Sequence, residues 1–134
     1  MRPTRTASFF LLASGLLAAC ASNPRAVPES ALSGSWRNAD GVSVAFEQTG
    51  VMSVDMPGPR PKTVLGEWSM ADGVITIRYR PESRMCVDDV GQYRVLVSAE
   101  TFEASAVRES CEQRRKSFEG VWKRTAAARP VPGG

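Results

Sequence analysis

Val42-Ser43-Val44-Ala45-Phe46-Glu47-Gln48-Thr49-Gly50-Val51-Met52-Ser53-Val54-Asp55-Met56 is the stretch that decides the fold. Val42, Val44 and Phe46 alternate with Ser43, Ala45 and Glu47, and after Thr49-Gly50 the alternation resumes from Val51 to Met56. An apolar period of two is that of a strand with one buried face, and the Thr-Gly step marks a turn, so the stretch predicts a β-hairpin. On its C-terminal side, Pro57-Gly58-Pro59-Arg60-Pro61 cannot be a central strand, because proline has no N–H to give to a ladder. A second hairpin follows, from Thr63–Met70 through the Asp72-Gly73 turn into Val74–Tyr79. Gly91–Val97, Thr101–Arg108 and Phe118–Arg124 read as further strands, with Ser98-Ala99-Glu100 connecting the first two. The short piece Gly34–Arg37 brings the number to about eight. Glu109–Ser117, polar throughout, reads as a loop. An antiparallel meander of this size must bury one face and hide its edges, and closing into an up-and-down β-barrel does both. The expected fold class is therefore all-β.

The 134 residues, 43% hydrophobic and 23% charged, suit one modest domain. Histidine is absent, which removes histidine-based catalysis. A formal charge of +3 with 7% aromatics gives no sign of a nucleic-acid surface. Met1-Arg2-Pro3-Thr4-Arg5 followed by the apolar run Phe9–Ala19 has the layout of a secretory signal, too short to span a bilayer. Leu17-Ala18-Ala19-Cys20 resembles the bacterial lipobox. That resemblance implies lipidation of Cys20 with a diacylglyceryl and a fatty-acyl group such as palmitate, cleavage before it, and residence in the cell envelope. In a host with two membranes Ala21-Ser22 points to the outer membrane, and the expected location there is the face toward the periplasm. Removing residues 1–19 takes away Arg2 and Arg5 and lowers the formal charge to +1, so net charge argues for no polyanionic partner. The expected organisation is a signal peptide over 1–19, a lipidated cysteine and flexible tether over 20–31, a barrel domain over 32–124 and a disordered tail over 125–134.

With Cys20 acylated, Cys86 and Cys111 remain in an oxidising compartment and should form a disulfide. Gly-x-Trp occurs at Gly34-Ser35-Trp36, Gly66-Glu67-Trp68 and Gly120-Val121-Trp122, which takes in every tryptophan of the chain. The repetition has a packing reason: a glycine two positions before an indole on the same strand face leaves room for the ring. The bland reading of these tryptophans is core plugs at the barrel ends; the functional one is an aromatic-lined cavity.

Gly34-Ser35-Trp36 on the first strand resembles the lipocalin or calycin signature, in which the tryptophan closes one barrel end and a basic residue of the last strand lies across it. Arg124 or Lys123 would supply that residue. Cys86-Val87-Asp88-Asp89-Val90-Gly91-Gln92-Tyr93, Thr101-Phe102, Cys111-Glu112-Gln113-Arg114 and Gly120-Val121-Trp122 are similar to small exported bacterial lipocalin-like domains of no established activity.

No nucleophile elbow, S-x-x-K, phosphate loop or H-E-x-x-H motif occurs, so no enzymatic activity, cofactor or metal is expected. Asp88-Asp89 and the pair Glu109 and Glu112 are the carboxylates that glycoside or calcium chemistry would use, and they read better as solvated turns. The first functional reading is a membrane-anchored envelope lipoprotein whose barrel binds an apolar small molecule or envelope component, lined by Trp36, Trp68, Tyr79 and Tyr93. The alternative is an inhibitor or partner of a periplasmic or foreign hydrolase. It would present the loops Pro57–Lys62 and Glu109–Ser117, with Arg60, Lys62, Arg114, Arg115 and Lys116 as contacts.

Overall fold

The computed structural model describes residues 28–125. The expected signal peptide, Cys20, most of the tether and the tail beyond Thr125 lie outside the described residues. Eight antiparallel strands follow one another around a closed barrel: β1 (Gly34–Asn38), β2 (Ser43–Phe46), β3 (Val51–Met56), β4 (Lys62–Ala71), β5 (Val74–Tyr79), β6 (Gly91–Val97), β7 (Thr101–Arg108) and β8 (Gly120–Arg124). Closure is made by β1 against β8, with Trp36 opposite Arg124, Arg37 opposite Lys123 and Asn38 opposite Trp122.

Two short helices depart from the expected pattern. Glu29–Leu32 forms α1, a single turn inside what reads as tether. Glu112–Phe118 forms α2, so the expected loop over Glu109–Ser117 is corrected to a helix entered through Glu109–Cys111. The segment is helical because Cys111, Arg114 and Phe118 fall three and four residues apart and turn one face inward. Arg114 and Phe118 are fully buried there. Polar composition hides that spacing.

An up-and-down barrel has two kinds of end. At the hairpin end, the connections 47–50, 72–73 and 98–100 are tight and α1 packs beside them. At the loop end lie 39–42, 57–61, the long connection 80–90 with its 3-10 turn Pro81–Ser83, and 109–119 with α2. An eight-stranded interior is just wide enough to be filled by side chains or to hold one small ligand. Here Phe102 stacks on Trp122 at 5.5 Å and meets Trp36 edge-on at 4.9 Å. Phe118 reaches in from α2 to Tyr93 at 4.7 Å and Phe46 at 6.3 Å, and Phe46 packs on Trp68 at 5.0 Å. Val44, Met52, Val54, Val64, Ile75, Ile77 and Val95 are among the aliphatic side chains that pack around them.

Two of the three Gly-x-Trp units share a local design. Gly34 and Gly120 sit at φ +117° and +122°, a backbone region that glycine alone occupies comfortably, and each turns the chain from a helix into a strand. The indole N–H two residues on then returns to the helix: Trp36 Nε1 donates to Leu32 O and Trp122 Nε1 to Phe118 O, both at 2.8 Å. The third unit lies inside a strand, where Gly66 is needed for space. A Cβ there would stand 2.6 Å from the Arg78 carbonyl oxygen, and Trp68 Nε1 donates to Glu47 O instead.

Candidate functional site

Chemically versatile side chains converge at the loop end. β7 runs out at Arg108, and Glu109 then turns inward while Cys111 opens α2. Arg114, one turn into that helix, presents its guanidinium fork to the Glu109 carboxylate, Nε to Oε2 at 2.6 Å and Nη2 to Oε1 at 2.7 Å. Both side chains are fully buried. The Cys111 amide donates to the same carboxylate at 2.9 Å, and the Tyr93 hydroxyl donates to its Oε2. Arg114 Nη1 reaches the Asp89 carbonyl at 3.0 Å, and the guanidinium lies 5.2 Å over the Tyr79 ring. Gly91 opens β6 against this pair, and a Cβ there would collide with the Glu109 carboxylate and stand 2.7 Å from Arg114 Nε. The Cys86–Cys111 disulfide, Cα atoms 5.7 Å apart, ties the 80–90 connection to the start of α2.

Burial raises the Glu109 carboxyl, but hydrogen bonds from Arg114, Tyr93 and the Cys111 amide outweigh it and hold the group below its ordinary value. Burial lowers Arg114, and the Glu109 hydrogen bond and charge more than restore it, so the ion pair is firmly charged. Burial, together with the Glu109 hydrogen bond, pushes the Tyr93 hydroxyl above its ordinary value. Desolvation takes the Tyr79 hydroxyl to about 12. With four donors on it, Glu109 has no free lone-pair direction with which to take a proton from a substrate, so the cluster locks α2 across the barrel. The exception is the Tyr79 hydroxyl, buried and without a hydrogen-bond partner among the described residues.

The expected candidates separate accordingly. Trp36, Trp68, Tyr79 and Tyr93 are all buried and packed among core neighbours. The sequence places Arg114 at a partner surface; the structure corrects this, because the Glu109 carboxylate gives it a buried counter-charge. Lys62 is exposed and donates to Ser83 O at 2.8 Å, and Arg60 is exposed on the proline loop. Arg115 and Lys116 lie on the outer face of α2, paired with Glu119 at 3.4 Å and Glu112 at 4.0 Å. Asp89 accepts from the Ser110 hydroxyl at 2.7 Å, and no group of three or more metal-ligating side chains occurs among the described residues. Glu109 escapes the sequence reading as the partner of Arg114. Its signal is the inward face formed by Cys111, Arg114 and Phe118, which demands a buried acid for the arginine.

At the hairpin end, Arg124 is the basic residue that crosses Trp36, and Lys123 points outward. The Arg124 guanidinium lies 4.0 Å from the Trp36 ring centroid and donates to the carbonyls of Ser33, Ala31 and Ala99, each at 3.0 Å. Outside the barrel, a groove of about 430 Å³ runs along the β1–β8 seam, lined by Arg37, Ala39, Val121 and Lys123 and ending at Thr125.

No family model and no curated protein matches the chain. Among solved structures it is similar to a lipocalin-like protein from Bacteroides uniformis ATCC 8492. The two share 19% identity over 70% of this chain and 96% of that one, with a TM-score of 0.47.

Proposed function

We propose that this chain is a cell-envelope lipoprotein, anchored through Cys20 at the outer membrane and facing the periplasm, whose barrel serves as a rigid binding module with no chemistry of its own. It recognises an envelope component on its outer surface. The observation that carries this reading is the filled interior. Eight-stranded barrels in general can hold a small molecule inside, yet here Phe102, Phe118, Trp122 and Trp36 occupy the space, and α1 and α2 cover the two ends. A solid barrel leaves its loops and outer strands for recognition. Among them is the exposed proline loop at 57–61, which a hydrolase cleft could receive.

One observation favours a second reading, an apolar ligand held inside. The Tyr79 hydroxyl is a buried donor without a partner among the described residues, and a ligand acceptor that displaced part of the α2 plug would satisfy it. Native mass spectrometry of the acylated protein, purified gently from membranes, separates the two. A mass equal to chain plus acyl groups is expected, and a stoichiometric apolar molecule retained in addition would favour the carrier. Labelling with an alkyne-bearing palmitate should mark the wild type and spare Cys20→Ser. An unlabelled wild type would sink the anchor.

A further inference from the structure

The outer face of the β1–β8 seam carries an arrangement that the barrel does not need. Arg37 and Lys123 are direct cross-strand partners there, so two like charges stand opposite each other, which costs a sheet stability. Their row offers no relief nearby. Lys123 faces Thr101 on β7, Arg37 faces Ser43 on β2 and bonds its hydroxyl at 3.2 Å, and Asp55 lies a strand further, where it accepts from Thr63. Neither cation has a carboxylate within ion-pair distance among the described residues. One row along, Val121 is 54% exposed and borders the same groove with Ala39. Glu103, opposite Val121 on β7, lies outside the lining. The groove is thus cationic with an apolar floor, a combination suited to a phosphate headgroup and the glycerol beneath it.

Position identifies the source of that phosphate. The groove ends at Thr125, beside the Arg124 that bonds the carbonyls of Ala31 and Ser33, so it opens where the chain enters the barrel from its N-terminal side. Eight residue steps separate Cys20 from Pro28. Fully extended, such a segment reaches at most about 29 Å. A bilayer holding the acyl chains therefore lies within one small-domain diameter of the hairpin end.

We propose that the β1–β8 face docks on an anionic bilayer surface, with Arg37 and Lys123 taking lipid phosphates and Val121 resting at the glycerol level; the inference rests on the anchoring of Cys20. Docking turns a tethered barrel into an oriented one, with β4 and β5, across the barrel from the seam, directed away from the membrane.

The acylated full-length mature protein, reconstituted in vesicles of phosphatidylcholine alone or of phosphatidylcholine and phosphatidylglycerol at about 7:3, tests this by the rate at which a water-soluble amine reagent labels each lysine. In anionic vesicles Lys123 should label about tenfold more slowly than in neutral ones, with Lys116 unchanged as an internal reference. Arg37→Glu should abolish the protection, as should about 0.5 M salt, because each cation near such a surface adds roughly a fivefold attraction that salt screens. Equal Lys123 rates in the two vesicles, with the protein floating in both, overturn the docking and leave the anchor standing. Failure to float with neutral vesicles overturns the anchor and the docking together.

Discussion

The two ends of the barrel are built on one local plan and finished in different ways. At each, a helix runs into a glycine with φ of +117° or +122° and then a tryptophan whose indole N–H returns to the carbonyl four residues back. The units even brace each other across the seam. Arg124, two residues past Trp122, covers Trp36 and donates to the Ala31 and Ser33 carbonyls at the end of α1; Asn38, two residues past Trp36, pairs with Trp122 and donates to Ser117 O in α2. The difference lies in what each plug must hold down. The hairpin end has tight connections, and one arginine donating to neutral carbonyls suffices. The loop end must pin the connections 80–90 and 109–119, and it uses a buried ion pair and a disulfide. Long connections carry more conformational freedom to be removed, so the reinforcement falls where the entropy is greatest.

The comparison breaks most sharply at Arg114. Arg114→Ala leaves the Glu109 carboxylate buried without its counter-charge. The expected loss in urea unfolding is about 3–5 kcal/mol. Replacing both partners by apolar residues should cost much less than either alone. A single substitution costing under about 1 kcal/mol, the worth of an exposed pair, would show the pair to be ornamental. The disulfide closes a sequence separation of 25. Removing it by Cys86→Ser with Cys111→Ser should cost about 3.5 kcal/mol of loop-closure entropy. An equal melting temperature with and without reductant would refute that contribution.

Acid distinguishes the ends next. A carboxyl whose pKa is lower in the folded state than in the unfolded one adds stability above the unfolded value and loses it as pH falls. Glu109 is such a group, so its contribution is complete at neutral pH and fades as pH drops through about 4.5 and below. The carbonyls that Arg124 bonds do not titrate. Glu109→Gln should flatten the stability profile in that window, and Arg124→Ala should leave the slope as it is. Arg124 makes charge-assisted bonds to three carbonyls and covers Trp36. Losing them in Arg124→Ala should cost about 2 kcal/mol.

Legibility in the sequence follows the same division. All eight strands are readable because period-two alternation and turn residues are local signals, as with Val42–Met56 and Asp72-Gly73. The Cys86–Cys111 pairing is open to reading from the number of cysteines and the compartment expected for the chain. Arg124 over Trp36 comes from the resemblance of Gly34-Ser35-Trp36 to a known signature, although Lys123 is equally open there. The loop end misleads because its decisive contacts are not local. Arg114 looks like a solvated cation until α2 turns it inward, and only the fold brings Tyr93 and Asp89 against Glu109 and Arg114. Tyr79 illustrates the limit from the other side: its burial is legible from the alternation, but that its hydroxyl has no partner among the described residues is visible only in the fold.

The smallest effect is the most direct comparison of the two ends. Gly34 and Gly120 share one unfavourable backbone region. Gly34→Ala and Gly120→Ala each force a side chain into it, a strain of about 1–3 kcal/mol that should be alike in both. Beyond the strain the sites differ. A Cβ at residue 120 meets nothing within 4 Å, whereas one at residue 34 stands 2.9 Å from Arg124 Nη1, the nitrogen that donates to Ser33 O. The guanidinium must therefore shift, and the plug at the hairpin end loosens. Gly34→Ala should be the costlier change by about 1 kcal/mol, the net worth of one such hydrogen bond. That excess should vanish when both glycine substitutions are made in an Arg124→Ala background. A persistent excess there would mean that the difference resides in the backbone at the start of β1, and that Arg124 is not what closes the hairpin end.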